Sequence, residues 1–399
     1  MSETSRRIWM PWTLVTTVLA LAIGAGVLSA ETTSSPTPVL PHAFAIEISG
    51  GHIDLLPSPV GLMSSPKGIS CTSRQFCEAI VDRYQNDTMG SHTIAMSAGP
   101  VFETYHHGRW SIPPQPLNTE QHLVGPSSVS CADPHFCAVV GGMRTPVIET
   151  FNGSRWSIAR SNLPGSQQLG GAILLGASCT SDHFCIAAGA QREPSKLLPL
   201  VETFNGTTWT AQFGQPSLDF NGALWSVSCT FERVCAAGGS GTTSSGESRP
   251  MFVADSQGTW KPYFLPIAAG SVMSVSCTTG GCMGLGDTHV AGRLYGYVAC
   301  LKRVNGRWRT SVNIKPLDDV STRGPNLLAS IACPRPGRCV VVGGTGSTSN
   351  PTPFVASMSG SSWRDETDEL PGDLGKSVLH SVSCSSVHTC IAVGVTESP

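Results

Sequence analysis

The sequence predicts an all-β fold, a seven-bladed β-propeller of four-stranded antiparallel blades, on three observations. A phrase of the form Ser-Val-Ser-Cys, five residues, then Cys and an apolar run ending in Gly is written seven times, with one residue fewer between the cysteines in the fifth copy, Cys277 to Cys282; its clearest copy is Ser128-Val129-Ser130-Cys131 followed by Cys137-Ala138-Val139-Val140-Gly141. First cysteines of successive copies are separated by 60, 48, 50, 48, 56 and 51 residues, a period that marks a repeat architecture. Between copies, a strand-like run closes on a turn and a tryptophan, as in Val201-Glu202-Thr203-Phe204-Asn205-Gly206 before Trp209.

Each repeat reads as four short strands. Strand A is the Ser-Val-Ser-Cys phrase, B follows the second cysteine, C carries the Glu-Thr-Phe run and D the tryptophan. The closing turn recurs at Gly108/Trp110, Asn152-Gly153/Trp156, Gly258/Trp260, Asn305-Gly306/Trp308 and Gly360/Trp363. Asn-Gly between β-rich runs is a hairpin signal, with both turn residues expected at positive φ. Four-stranded units of about 50 residues arranged radially make a propeller. The seventh repeat stops after its strand B, at Gly394-Val395. Ala45-Ile46-Glu47-Ile48-Ser49-Gly50-Gly51-His52-Ile53 resembles Val147-Ile148-Glu149-Thr150-Phe151-Asn152-Gly153 without the tryptophan. The N-terminal strands are therefore expected to complete the last blade and close the ring, leaving no blade face uncapped. The propeller is expected over residues 42–399.

Charged residues are 13% of the chain, about half the usual share of roughly 25%. Net charge is −2, so bulk charge gives no support to a polyanion or nucleic-acid partner. In residues 1–30, Arg6 and Arg7 precede an apolar run from Ile8 to Leu28. That length suffices to cross a bilayer. A cleaved signal peptide and a retained membrane anchor both stay open, and either one exports the propeller. Residues 31–41 read as a Ser/Thr/Pro linker.

The cysteines agree with an extracytoplasmic, secreted or membrane-anchored location. Opposed residues on antiparallel strands lie within disulfide range. This gives one bridge per blade: Cys71–Cys77, Cys131–Cys137, Cys179–Cys185, Cys229–Cys235, Cys277–Cys282, Cys333–Cys339 and Cys384–Cys390. Each short loop contributes roughly 2 kcal/mol in the chain-entropy model. Metal binding is the rival reading, but C-x5-C is not a zinc spacing and a radial repeat never gathers four thiolates; no metal or cofactor is expected. Cys300 aligns with Leu200 on strand C and is expected to be a buried free thiol.

Strand A carries the packing logic. Two positions before the first cysteine stand Ile69, Val129, Ala177, Val227, Val275, Ile331 and Val382, all apolar, as for a face packed on the next blade. One and three positions before it stand only Ser, Gly or Ala, which suits the crowded axis. Four positions before it the repeat relaxes to Lys67, Ser127, Leu175, Trp225, Met273, Ala329 and His380. Packing does not dictate these residues, and they sit near one channel mouth. Lys67, Trp225 and His380 are the binding candidates there, with Lys67 and His380 neighbours once the ring closes.

The two faces should differ. One carries the disulfide loops and Asn-Gly turns. The other carries the B–C loops and D–A connectors, which vary: 82–99 in blade 1, 190–199 in blade 3 and 240–250 in blade 4. Function sits on variable loops held by a rigid scaffold, which makes Arg83, Tyr84, His92, Arg192, Arg249, His289, Arg293 and Tyr295 candidate contacts. On the disulfide face His135, His183 and His388 recur four residues after the first cysteine, with Gln75 and Arg233 at matching places; repeat inheritance explains them better than chelation across a wide ring. No catalytic residue is assigned, since no G-x-S-x-G, H-E-x-x-H or Walker sequence is present. Glu47, Glu103, Glu149 and Glu202 recur at one strand-C position and read as structural.

The run Ser-Val-Ser-Cys … Phe-Cys-x-Ala-Val-Gly … Asn-Gly-x-x-Trp, over residues 43–395, resembles disulfide-stapled propeller repeats of exported actinobacterial proteins. More distantly it looks like Kelch and Asp-box propellers, although Phe151 and Phe204 stand where the Asp of an Asp box belongs. The resemblance implies the fold and little about activity. A monomeric binding or scaffold module for an envelope or extracellular glycan or protein is expected; an envelope enzyme acting on glycans or peptides at the channel mouth and a purely structural surface protein are the alternatives.

Overall fold

A computed structural model describes residues 41–59, 64–89, 92–114, 125–142, 145–159, 161, 171–212, 219–231, 234–256, 258–290, 293–305, 307–316, 327–347, 350–372 and 374–397. The export segment, most of the linker and Arg233 lie outside the described residues. The first strands among the described residues are β1 (Pro41–Ser49) and β2 (His52–Leu56). Blade 1 is β3 (Ser64–Ser73), β4 (Phe76–Met89), β5 (His92–His106) and β6 (Arg109–Ser111); blade 2 is β7 (Pro126–Asp133), β8 (Phe136–Gly141), β9 (Val147–Phe151) and β10 (Trp156–Ala159). Blade 3 is β11 (Ala172–Ser181), β12 (Phe184–Arg192), β13 (Leu197–Phe204) and β14 (Trp209–Gln212); blade 4 is β15 (Gly222–Phe231), β16 (Val234–Thr242), β17 (Ser248–Ser256) and β18 (Thr259–Phe264). Blade 5 is β19 (Ser271–Thr278), β20 (Gly281–Val290), β21 (Arg293–Val304) and β22 (Arg307–Pro316); blade 6 is β23 (Leu327–Arg335), β24 (Arg338–Ser347), β25 (Asn350–Ser359) and β26 (Ser362–Asp365).

Blade 7 has the order β2-β1-β28-β27, with β27 (Ser377–Cys384) and β28 (Thr389–Glu397) from the C-terminus. The two chain ends therefore share one sheet, and Ile53 pairs with Ile48 where blades 1 to 3 pair tryptophan with an aromatic residue, as Trp156 does with Phe151. At the closing seam the Arg74 Nε, from the disulfide loop of blade 1, lies 2.9 Å from the buried Glu47 Oε1 on β1.

The core lies between blades. Leu200, Phe204 and Trp209 of blade 3 pack on Ala138, Val140 and Ile148 of blade 2, and the same wedge recurs around the ring. The apolar residue two before each first cysteine faces the preceding blade rather than the next: Ile69 joins Ile391 and Val393 of blade 7, and Val129 joins Ile80 and Phe102 of blade 1. Strand D is outermost, and its tryptophans are core. Trp308 is buried and donates from Nε1 to the Asp255 carbonyl of blade 4 at 2.8 Å.

All seven disulfides form within blades, with Cα–Cα distances of 3.9–4.2 Å. Such close opposition marks non-hydrogen-bonded pairs, so the first cysteine's N–H points away from strand B, towards the axis. Strand A is a sheet edge, and that N–H, with the one two residues earlier, has no ladder partner. The neighbouring blade supplies one. Ser70, Ser130, Ser178, Ser228, Ser276 and Ser383 each accept the N–H of the following blade's first cysteine, at 2.8–2.9 Å. Ser128, Ser226, Ser274, Ser330 and Ser381 accept the second N–H at 3.1–3.3 Å. Gly68, Gly176 and Ala332 occupy the corresponding places elsewhere. The serines are thus required as acceptors, beyond being small. Ser228→Ala leaves the Cys277 N–H without this acceptor and is expected to cost about 1–2 kcal/mol, read as a lowered urea midpoint.

Local chemistry departs from the sequence reading in three places. The six C-x5-C repeats hold one more residue than blade 5 between their cysteines. In blades 1 to 4 it appears as a bulge just after the first cysteine, as between Cys179 and Ser181, whereas in blade 5 Thr278 pairs directly with Gly281. Among the described residues, the only non-glycine positive-φ positions are His107 and Asn305. Asn152 and Asn205 instead turn their Oδ1 inward to accept the N–H groups two and three residues on. Lastly, the loops read in blades 1, 3 and 4 are largely strand: β4 and β5 stay paired out to Met89 and His92, and Arg192 pairs with Leu197.

Candidate functional site

The inner strands make a ring in which each touches the next and β27 closes on β3. Every one of them carries a register shift ahead of its first cysteine, between Pro66 and Gly68, Pro126 and Ser128, Leu174 and Gly176, Leu224 and Ser226, Val272 and Ser274, Leu328 and Ser330, and Leu379 and Ser381. The residue skipped in each is one of Lys67, Ser127, Leu175, Trp225, Met273, Ala329 and His380. An extra residue interrupts strand alternation and re-aims a side chain. Leu174 and Ala177 both pack on blade 2, which strict alternation over three residues forbids. The bulge between them makes it possible and leaves Leu175 as the residue outside the pairing. All seven are half-buried.

The ring is two-sided. Leu175, Trp225, Met273 and Ala329 form an apolar arc across blades 3 to 6, and His380, Lys67 and Ser127 a polar arc across blades 7, 1 and 2. Lys67 and His380 are neighbours, as ring closure requires. His380 hydrogen-bonds the Pro66 backbone, and burial, aided by the Lys67 cation, lowers its pKa to about 4. Lys67 Nζ lies 2.5 Å from Asp82 Oδ2. Burial first, then the Asp82 charge, raises the pKa of Tyr84. Lys67 is thus ion-paired with Asp82, its charge acts on His380, and the charge of Asp82 acts on Tyr84. In the sequence Asp82 marks only a loop boundary; its partner stands on another strand, and linear spacing gives no signal for it. On the opposite arc, the indole Nε1 of Trp225 is buried and has no hydrogen-bond partner.

Of the other candidates, the described Arg83, Arg192, Arg249 and Tyr295 stand on four different blades. Arg83 lies 3.7 Å from the buried Glu103, on the side of blade 1 that faces blade 7. Arg249 is bound to Glu247 on its own hairpin, at 2.7 Å. Arg192 ends β12 and Tyr295 pairs with Thr288 in blade 5. The backbones of His92, His289 and Arg293 sit at or beside the tips of paired strands; their side chains lie outside the described residues.

The disulfide loops and C–D turns share the opposite face, where the His107 N–H donates to the Gln75 carbonyl. His135 lies on Gly153 and His183 on Gly206, so that a Cβ on either glycine would come within 2.8–2.9 Å of the imidazole. His135 and His183 are therefore lids on their turns, whereas nothing lies within 4 Å of a Cβ on Gly50 or Gly51 in the turn of blade 7, the blade of His388.

The recurrent glutamates divide. Glu103, Glu149 and Glu202 lie opposite the second residue after the second cysteine, and their strand-mates pack on the preceding blade. Glu47 lies opposite Ile391, the first residue after it, and so faces the following blade. A one-residue offset reverses the side. Cys300 likewise lies opposite Met283, one after Cys282, and not at the place of Leu200. It is a half-buried free thiol 3.1 Å from the Met283 sulfur.

No protein-family model and no curated protein sequence matches the chain. Among solved structures it is similar to YCF48 from Cyanidioschyzon merolae, at 13% identity over 86% of this chain and 97% of that one, with a TM-score of 0.50. It is also similar to a six-bladed fungal lectin from Aleuria aurantia (11% identity, 77% and 97% of the two chains, TM-score 0.41) and to a polysaccharide lyase, an ulvan lyase (9%, 81% and 85%, TM-score 0.44). At these identities the likeness shows the propeller fold alone.

Proposed function

We propose that the chain is an extracytoplasmic binding or scaffold module that holds an envelope or extracellular glycan or protein segment at the channel mouth. The observation that carries this reading is the bulge ring. A repeat that fixes its other inner-strand positions for packing and hydrogen bonding frees one residue per blade and aims it at a shared space. The division of that ring suits a ligand with one apolar and one hydrogen-bonding side. Trp225 offers a flat apolar surface, and Lys67, His380 and Ser127 face it with donors and acceptors. Seven disulfides match an oxidising compartment, and residues 8–28 supply export, as cleaved signal or anchor.

The enzyme reading needs two converging carboxyl groups about 5–9.5 Å apart. Among the described residues, Asp82 is held by Lys67, while Glu78, Glu103, Glu149 and Glu202 face neighbouring blades. Binding is therefore the better-supported role. A glycan array and an envelope pull-down, run with the wild-type chain and with Trp225→Ala and Lys67→Met, test it. Enriched ligands are expected to fall about tenfold or more in both variants, the effect of losing one well-packed contact of about 1.4 kcal/mol. Undiminished capture by both variants, or no enrichment in either assay, would count against a channel site.

A further inference from the structure

A second surface lies on the disulfide face of blades 5 and 6. The hairpin joining β21 to β22 carries Lys302, Arg303, Arg307 and Arg309, and the disulfide loop of blade 6 carries Arg335 and Arg338; all six side chains are exposed. The two loops adjoin. Gly281 pairs with Lys302, and a Cβ on Gly280 would lie 3.4 Å from the Pro336 ring. Among the described residues no ion pair engages any of the six. Elsewhere on this face Arg74 is paired, with Glu47.

The pairing register makes the cluster stranger. Lys302 stands directly opposite Arg309, and Arg335 opposite Arg338. Like charges directly opposed across strands are destabilising, and here this happens twice in one patch of a protein with few charged residues. Arg303 is already placed, its guanidinium 5.9 Å from the centre of the Trp308 ring. A bound polyanion would remove the repulsion. Guanidinium forks match carboxylate and sulfate oxygens in pairs.

We infer that this face docks an acidic polysaccharide. Exposed turns such as Ser359–Ser362 surround the patch, and Val304 is its one exposed large apolar side chain. Protein partners need an apolar interface centre, whereas a polymer of regularly spaced anions does not. A membrane is disfavoured by direction. The chain enters blade 7 at Pro41, which pairs with Glu397 at the end of β1 remote from the disulfide loops, so a tether through residues 8–28 leaves from the other face. The near-zero net charge conceals the patch, because acids elsewhere balance it. This site is separate from the channel and does not depend on it.

The test uses the oxidised full chain on immobilised polygalacturonate and dextran sulfate, with neutral dextran and phosphatidylglycerol vesicles in parallel. The wild type is expected to bind one or both acidic polymers, to be released by salt and to ignore dextran. The variant R303Q/R307Q/R335Q/R338Q is expected to bind about tenfold or more weakly with a melting temperature no lower than that of the wild type, while R155Q, an exposed arginine on blade 2, binds like wild type. Equal binding by wild type and the quadruple variant, an equal loss in R155Q, retention on vesicles alone, or no retention on either acidic polymer would each overturn the assignment. Should the quadruple variant not fold, R303Q/R307Q and R335Q/R338Q are read separately against the same criteria.

Discussion

Reduction of the seven disulfides is expected to unfold the ring at room temperature without denaturant. Each bridge closes a loop of five or six residues' separation and contributes roughly 2 kcal/mol by chain entropy. Seven together reach on the order of 10 kcal/mol, comparable with the whole stability of a typical folded domain at about 5–15 kcal/mol. The bridges are also packing units, since second cysteines such as Cys77, Cys137 and Cys185 are fully buried between blades. Near-UV circular dichroism with and without dithiothreitol reads the effect. Cys229→Ser with Cys235→Ser should remove about 2 kcal/mol in urea. A reduced chain that kept its near-UV signal and its urea midpoint would show that the bridges contribute little.

Stability is also expected to fall steeply as pH rises from about 5 to 8. Burial raises the carboxyl pKa of Glu78 to about 8, of Glu149 to about 7 and of Glu202 to about 7. Glu78 is opposed only in part by the hydroxyl of Thr104 at 2.5 Å, and Glu202 by that of Ser161 at 2.9 Å. Each group holds its proton in the folded chain over a range where the unfolded chain has released it. Its contribution is complete below the ordinary glutamate pKa of about 4.3 and is lost as pH climbs to the folded value. His380 acts in the opposite sense. Its folded pKa is depressed, so its contribution is present above about 6.5 and is lost as pH falls towards 4. Three carboxyl groups outweigh one imidazole, and above about pH 6.5 only the carboxyl groups still change. The loss is on the order of several kcal/mol by pH 8. Melting temperatures from pH 5 to 8.5 should therefore decline, and Glu78→Gln should flatten the curve and stabilise the chain at pH 8. A melting temperature that is constant or rises with pH would contradict the burial of these carboxyl groups.

The architecture is legible in the sequence because repetition amplifies weak signals. One Asn-Gly or one Trp means little, but a Gly-Trp hairpin in every interval between successive cysteine pairs places a strand. Ring closure is legible from a missing half-blade at one end and a spare one at the other. The bulge is not, because an insertion shared by all seven repeats leaves their period unchanged; only the relaxed residue choice at Lys67, Trp225 and His380 hints at it. Sidedness is hard to read for the same kind of reason. Glu47 looks like Glu149 in an alignment, yet one residue of register puts them against opposite neighbours. Asp82 and the basic patch escape because their relations run between strands and blades, where sequence spacing and net charge are both silent.

The channel site stands on residues of the first and last repeats meeting across the closure, and a histidine-resolved NMR titration measures that meeting. His380 is expected to titrate near pH 4 in the folded chain and to move upward in Lys67→Met, where the neighbouring cation is gone and Asp82 is released. A His380 that titrates near the ordinary value of about 6.5 and ignores the Lys67 substitution would mean that the bulged residues do not share one channel.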